Sequence, residues 1–160
     1  MSARAAWRRE SLGFTAVYRY TAGKADWFAA GLPREGQRAG VPRVGDLARR
    51  DVPTCGLAEA IGDVRERIRA AGWDVCVVVN ERQVVLGRLR QRELDGDPAA
   101  VVGEVMEEGP TTYRPDRLAA ETADYLAERR VASVLVTTSD GALIGLFHRD
   151  DVARQSAPDE

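Results

Sequence analysis

The chain has a single histidine, His148, set in the run Gly145-Leu146-Phe147-His148-Arg149-Asp150-Asp151. An imidazole there can donate to a phosphate oxygen, more strongly when protonated, and Arg149 can add charge to that contact. A carboxylate at Asp151 can accept several hydrogen bonds at once. The same residues also have plainer uses: Asp151 can charge or cap the first turn of a helix, and His148 can simply close a strand. Catalysis has weaker support. One histidine rules out most triads, and there is neither a nucleophile elbow nor a phosphate-cradling Walker loop. Cys55 and Cys76 lack CxxC spacing, and Cys76 lies in a valine-rich run that suits a small buried thiol. A zinc site would need both cysteines and His148 to converge with a carboxylate, and nothing in the spacing suggests this. Neither an enzyme nor a metal site is expected.

The element that presents His148 is an apolar run, Ala142-Leu143-Ile144, ending at a glycine where a strand gives way to a helix. The same layout stands 58 positions earlier, as Val84-Val85-Leu86 followed by Gly87-Arg88-Leu89-Arg90-Gln91-Arg92-Glu93. Val44-Gly45-Asp46-Leu47 returns as Val102-Gly103-Glu104-Val105, and Val75 to Val79 as Ser133 to Thr137, at the same spacing. Two copies at this period predict a tandem pair packed on each other, because neither copy can bury its apolar face alone. In the first copy Leu57, Ile61, Val64, Ile68 and Ala71 fall on one helix face that ends at Gly72. Asp63 with Arg67 and Glu66 with Arg69 decorate the outer face. Val75–Val79 reads as a strand buried on both sides, and Val84–Leu89 completes a hairpin. The second copy predicts a helix over 116–130, capped by Asp116, with Leu118, Thr122, Tyr125 and Leu126 inward. A hairpin over 133–147 then turns at Ser139-Asp140-Gly141.

Over residues 44–152 the copies resemble CBS domains, the paired regulatory modules named after cystathionine β-synthase. The family pattern is glycine, two apolar residues, Thr or Ser, two variable residues and Asp. Here Gly145 to Asp151 carries it, with His148 in the Thr/Ser place; the first copy substitutes Arg88, Arg90 and Glu93. The resemblance implies a mixed α/β fold, two βαββα repeats packed as a pseudo-symmetric pair, over 44–95 and 99–155. It implies a regulatory ligand such as AMP, ADP, ATP or S-adenosylmethionine in the inter-repeat cleft. Asp151 then takes the ribose and His148 the phosphate, with Gly145, Arg149 and Arg90 nearby. Thr111 and Thr112 form the opposite wall, and Glu93 marks an altered or empty first site, crowded by or paired with Arg88 and Arg90. A homodimer and a regulated partner protein are implied as well.

Residues 1–43 form a separate segment. Ala16–Tyr20 reads as a strand and Asp26–Ala30 as part of a helix with Gly31 as its C′ residue, a strand-helix strap followed by a linker. This stretch is similar to the C-terminal end of rhodanese-like domains, without their reactive cysteine. It is read as a structural remnant, or as a sign that the chain starts inside a longer rhodanese-CBS fusion. It holds six of the ten aromatics, which are expected to pack on the pair or across a dimer.

Net charge is −2, but residues 1–43 carry eight Lys/Arg against three Asp/Glu while 95–160 carry six against fourteen. The basic segment can therefore lie against the acidic second copy of its own chain or of a partner. Without interleaved aromatics or a helix-turn-helix, nucleic acid is not expected. No apolar run nears the roughly 20 residues of a membrane span, and the N-terminus lacks a secretory apolar core, so a cytoplasmic location is expected. The alternative to a ligand sensor is a ligand-free dimerisation module whose pocket has decayed through His148, Arg90 and Glu93.

Overall fold

The computed structural model describes residues 3–18, 20 and 23–155. Two helices, α1 (Ala3–Glu10) and α2 (Gly23–Ala29), precede the repeats. The first copy follows as α3 (Val44–Leu47), β1 (Thr54–Cys55), α4 (Ile61–Ala70), β2 (Val75–Val79), β3 (Val85–Arg90) and α5 (Gln91–Leu94). The second runs α6 (Val102–Val105), β4 (Glu107–Glu108), β5 (Thr112–Tyr113), α7 (Ala119–Glu128), β6 (Ser133–Thr137), β7 (Leu143–His148) and α8 (Asp151–Gln155). The sheets order as β1-β2-β3-β4 and β5-β6-β7, each built on an antiparallel hairpin with a parallel strand beside it. This is the expected mixed α/β architecture.

The local reasons are visible in the residues. Ile61, Val64 and Ile68 of α4 are buried at helical spacing, and Gly72 ends the helix at φ +71°. β2 is buried along Cys76 to Val79 because helices cover one face and the other sheet covers the opposite face. Asn80 shapes the first hairpin turn, its side-chain oxygen accepting from the N–H groups of Arg82 and Val84, both at 3.0 Å. Gln83 sits there at φ +60°, in the place that Gly141 takes in the second hairpin at φ +88°.

The copies exchange their opening helices. The N–H of Val44 donates to Arg117 O at 2.9 Å and that of Gly45 to Pro115 O at 3.0 Å, which docks α3 beside α7. Val102 and Gly103 donate in the same way to Glu59 O and Leu57 O, both at 2.9 Å, docking α6 beside α4. One core therefore gathers Ile61, Val64, Ile68, Cys76 and Leu89 around Val102, and the other gathers Ala119, Leu126, Val134 and Phe147 around Val44. A third, between the sheets, joins Val52, Val77 and Val79 to Leu135 and Leu146. Each exchanged valine is fully buried, a gain of about 1.5–3 kcal/mol, and each core takes it from the other copy. Sequence boundaries between the repeats thus do not coincide with the boundaries between cores.

Several expectations need correction. Residues 16–18 and 20 form no strand, and Arg19 lies outside the described residues; among the described residues no sheet edge is paired with this stretch. Ala3–Glu10 is instead a helix. Helix α4 starts at Ile61, so Leu57 lies outside it and is 43% exposed. Helix α7 starts at Ala119 with Leu118 at the N-cap, so Asp116 does not cap it and Tyr125 turns outward. The outer-face ion pairs are Arg67–Glu59 and Arg69–Asp95, reaching off the helix and not along it. Of the early aromatics, Trp7, Phe14 and Tyr18 stay exposed, while Phe28 is half-buried, with the Arg34 and Arg43 guanidinium groups 5.4 and 5.1 Å from its ring centre.

Candidate functional site

The exchange continues into the strands and creates the cleft. Arg49, just after α3, pairs with Leu146 of β7: its N–H donates to Leu146 O at 2.8 Å and its carbonyl accepts from Leu146 N–H at 3.0 Å. In mirror fashion Glu107 of β4 pairs with Arg88 of β3. The motif glycines make this possible. A Cβ on Gly145 would lie 2.3 Å from the Arg49 carbonyl oxygen, and one on Gly87 would lie 2.9 Å from that of Glu107. Each glycine is needed for the close approach of the other copy's backbone.

Between the entry ends of β2 and β6 and the exit ends of β3 and β7 opens a cleft of about 670 Å³, within the usual size for a small-molecule site. Arg88 and Arg90 line it from the first copy and His148 from the second, with Arg130 at the end of α7 and Trp73 at the start of β2. Arg49 and Asp51 close one wall, and the Arg49 guanidinium sits 5.9 Å from the centre of the Trp73 ring.

Asp151 lies behind this lining and is 8% exposed. Its Oδ1 accepts from Arg49 Nη2 at 2.9 Å and faces Arg154 Nη1 at 3.2 Å; its Oδ2 accepts from the His148 N–H at 3.2 Å. The last contact recurs. Glu93 accepts from the Arg90 N–H at 3.1 Å, and Asp46 from the Arg43 N–H at 2.8 Å. In all three, an acidic residue in the first turn of a helix fastens the backbone N–H three residues back, as in a capping box. The hydrogen bond to Asp151 raises the Arg49 pKa above its ordinary value, and Arg49 therefore stays charged.

Glu107 holds the other arginines. Arg88 Nε and Nη2 each donate to it at 2.7 Å, a bidentate pair, and Arg90 Nε approaches to 3.5 Å. Donation from Arg88, opposed by partial desolvation, leaves the Glu107 pKa below the ordinary glutamate value. The expected pairing of Arg88 and Arg90 side chains with Glu93 is thus not formed, because Glu107 is presented directly across the strand.

Of the sequence-derived site residues, the structure brings Arg90 and His148 together in one cleft and sets Asp151 and Glu93 behind them. Gly145 is buried against Arg49, and the Arg149 N–H is tied to Ala132 O at 3.0 Å. Thr111 and Thr112 do not face them: Thr112 lies on β5 opposite Leu135, and the wall near His148 is Arg49–Asp51. Reasoning from sequence missed Arg49, Trp73 and Arg130. Aligning the copies could have flagged two of them, since Arg49 matches Glu107 and Arg130 matches Gly72 at the repeat spacing.

Buried in the first core, Cys55 and Cys76 share a thiol–thiol hydrogen bond, which lowers the Cys55 pKa and, together with burial, raises that of Cys76. Among the described residues no three His, Cys, Asp or Glu side chains gather in a metal-holding group, and no helix is long and apolar enough to cross a membrane.

The sequence model of the CBS domain matches residues 102–157. An uncharacterised protein of Methanopyrus kandleri is 25% identical over 117 residues, which is 68% of this chain and 60% of that protein. Among solved structures, the cytosolic domain of the Mg2+ channel MgtE in complex with ATP superposes with a TM-score of 0.64 at 24% identity, over 71% of this chain and 48% of that one. CBSX2 in complex with AMP does so with a TM-score of 0.63 at 21% identity, over 72% and 96%. The chain thus spans about three-fifths of its curated relative and half of the channel domain. The likeness of residues 12–36 to a rhodanese tail gains no support. Residues 102–157 match a CBS domain, and the two copies together have the fold of a tandem CBS domain pair.

Proposed function

We propose that the protein is a non-catalytic regulatory module that binds an adenine nucleotide in the inter-repeat cleft and passes that event to contacts between two copies or with a partner protein. The observation that carries this is the convergence of Arg90 and His148, equivalent positions of the two copies, on one cleft of about 670 Å³ beside the Trp73 ring. The arginines and imidazole suit phosphate, and the indole face suits a base. Two proteins of the same fold hold ATP and AMP, which supports the ligand class. Coupling has a physical route. A ligand that draws on Arg49 acts on the segment whose backbone pairs with Leu146 and joins the copies, and a ligand that favours one arrangement of that joint shifts the population toward it.

A thermal-shift panel with ATP, ADP, AMP and S-adenosylmethionine tests this reading. Ligand at about 100 times its dissociation constant adds about 2.7 kcal/mol, roughly 5–10 °C for a chain of this size. A nucleotide-dependent shift that disappears in Arg90→Ala/His148→Ala is expected. No shift from any of the four overturns the reading.

One observation favours a second role. Trp7, Leu12, Phe14 and Tyr18 are each more than 60% exposed, an apolar surface on a basic segment. As a docking surface for the acidic second repeat of another copy, it would make the chain a homodimer, and sedimentation velocity of the full chain would show one dimer species dissociating at high salt. A monomer at low salt overturns this role.

A further inference from the structure

We infer that the cleft selects its ligand by phosphate charge and not by ribose, so that a nucleoside di- or triphosphate is held chiefly through its phosphate chain. This rests on the nucleotide reading above. Both motif carboxylates are already engaged. Asp151 is 8% exposed, with Oδ1 on Arg49 and Arg154 and Oδ2 on a backbone N–H. The Glu93 side chain is 13% exposed, with one oxygen on the Arg90 N–H and the other 3.2 Å from Arg92 Nε. A ribose diol reaching for Asp151 would compete with two guanidinium groups at Oδ1, and one reaching for Glu93 would share its oxygens with the Arg90 N–H and Arg92, a poorer exchange for two neutral hydroxyls than phosphate makes with the arginines of the cleft. The carboxylates that do line the cleft, Asp51 and Asp74, are exposed.

The cationic side is better supplied. Arg49, Arg88, Arg90 and Arg130 all line the cleft with His148, and each guanidinium has five N–H donors. Arg88 spends only Nε and Nη2 on Glu107. Arg130 has no ion-pair partner among the described residues, and its backbone gives a second, independent observation. It sits at φ +56° in the position where the first copy has Gly72 at φ +71°. Glycine adopts that left-handed conformation freely and arginine does not. Just past α7 the chain thus holds an arginine in a left-handed conformation where glycine would relax, and that arginine lines the cleft. Backbone strain of this kind clusters at ligand-binding sites.

Phosphate charge therefore sets the ligand class. ATP and ADP satisfy the guanidinium groups; AMP does so in part; S-adenosylmethionine brings a sulfonium cation and no phosphate. Isothermal titration of the full chain with ATP, 2′-deoxyATP, AMP, inorganic tripolyphosphate and S-adenosylmethionine tests this. ATP is expected to bind at least about tenfold more tightly than AMP, the value of one or more charge-assisted hydrogen bonds. We expect 2′-deoxyATP to bind within about twofold of ATP, tripolyphosphate to compete with ATP, and S-adenosylmethionine not to compete.

Arg130→Gly separates binding from folding. Losing the guanidinium is expected to weaken ATP by about tenfold, while relief of the left-handed backbone leaves the free protein at least as heat-stable as wild type. If AMP or S-adenosylmethionine binds as tightly as ATP, if 2′-deoxyATP binds tenfold more weakly, or if Arg130→Gly leaves ATP affinity unchanged, the inference is overturned and the nucleotide reading stands. If no compound binds, both fall.

Discussion

Replacing Gly145 with alanine adds one carbon to the chain, yet it should be among the most damaging substitutions that can be made. The new Cβ would lie 2.3 Å from the Arg49 carbonyl oxygen, 2.9 Å from its carbonyl carbon and 3.3 Å from Arg50 N. All three are backbone atoms, so no side chain can swing away, and the Arg49 segment must retreat from β7. Its two hydrogen bonds with Leu146, at 2.8 and 3.0 Å, are then lost at about 1 kcal/mol each. Overpacking the buried contact costs about 1–3 kcal/mol more. A total of about 3–5 kcal/mol corresponds to a fall in Tm of roughly 6–20 °C for a chain of this size. Calorimetry or circular-dichroism melting of Gly145→Ala, with Gly40→Ala as control, measures it directly. A Cβ on Gly40 meets nothing within 4 Å, so the control is expected to melt like wild type. A Gly145→Ala protein that melts with the control would refute the crossed pairing of the copies.

Other perturbations read different parts of the account. Glu107 has a folded-state pKa below its ordinary value because Arg88 donates to it, so its contribution to stability is present above about pH 4.3 and is lost as pH falls through the lower folded value. Urea midpoints between pH 5 and 3 should therefore fall more steeply for wild type than for Glu107→Gln; the difference is modest because the side chain is 44% exposed, and parallel slopes would contradict the pairing. Cys55 and Cys76 are free thiols, 4% and 0% exposed, so a thiol reagent at pH 8 should label neither until the protein unfolds; stoichiometric labelling of the folded chain would contradict their burial. Phe28→Ala removes a ring approached by two guanidinium groups and should cost about 1–2 kcal/mol, whereas Tyr18→Ala, at an 84% exposed site, should be neutral in the same melt.

The repeat was legible because a two-copy fold writes its strands and motif glycines twice, so Val75–Val79 and Ser133–Thr137 identify each other without any structure. What the period does not encode is which copy supplies a neighbour. An uncrossed reading puts Thr111 and Thr112 opposite His148, whereas the crossed backbone pairs bring Arg49–Asp51 there. The same crossing gives Arg88 to Glu107 and leaves Glu93 fastening a backbone N–H. Helix faces were misread at their first turns. Leu57 and Asp116 precede helices that begin only where a backbone N–H finds a carbonyl remote in sequence, as Ile61 does on Ala100 of the second copy and Ala119 on Pro42, just before the first. The expected strand at Ala16–Tyr20 had suitable residues, but among the described residues nothing pairs with it as a sheet edge, and propensity without a partner does not make a strand.

The most direct test of the central claim is a crystal structure of the full chain grown with ATP. The account predicts a nucleotide in the cleft, with its phosphates on Arg90, Arg130 and His148 and its base against Trp73, and with the Arg49–Asp151 ion pair still in place. An empty cleft at saturating ATP, or a nucleotide bound elsewhere on the molecule, would contradict it.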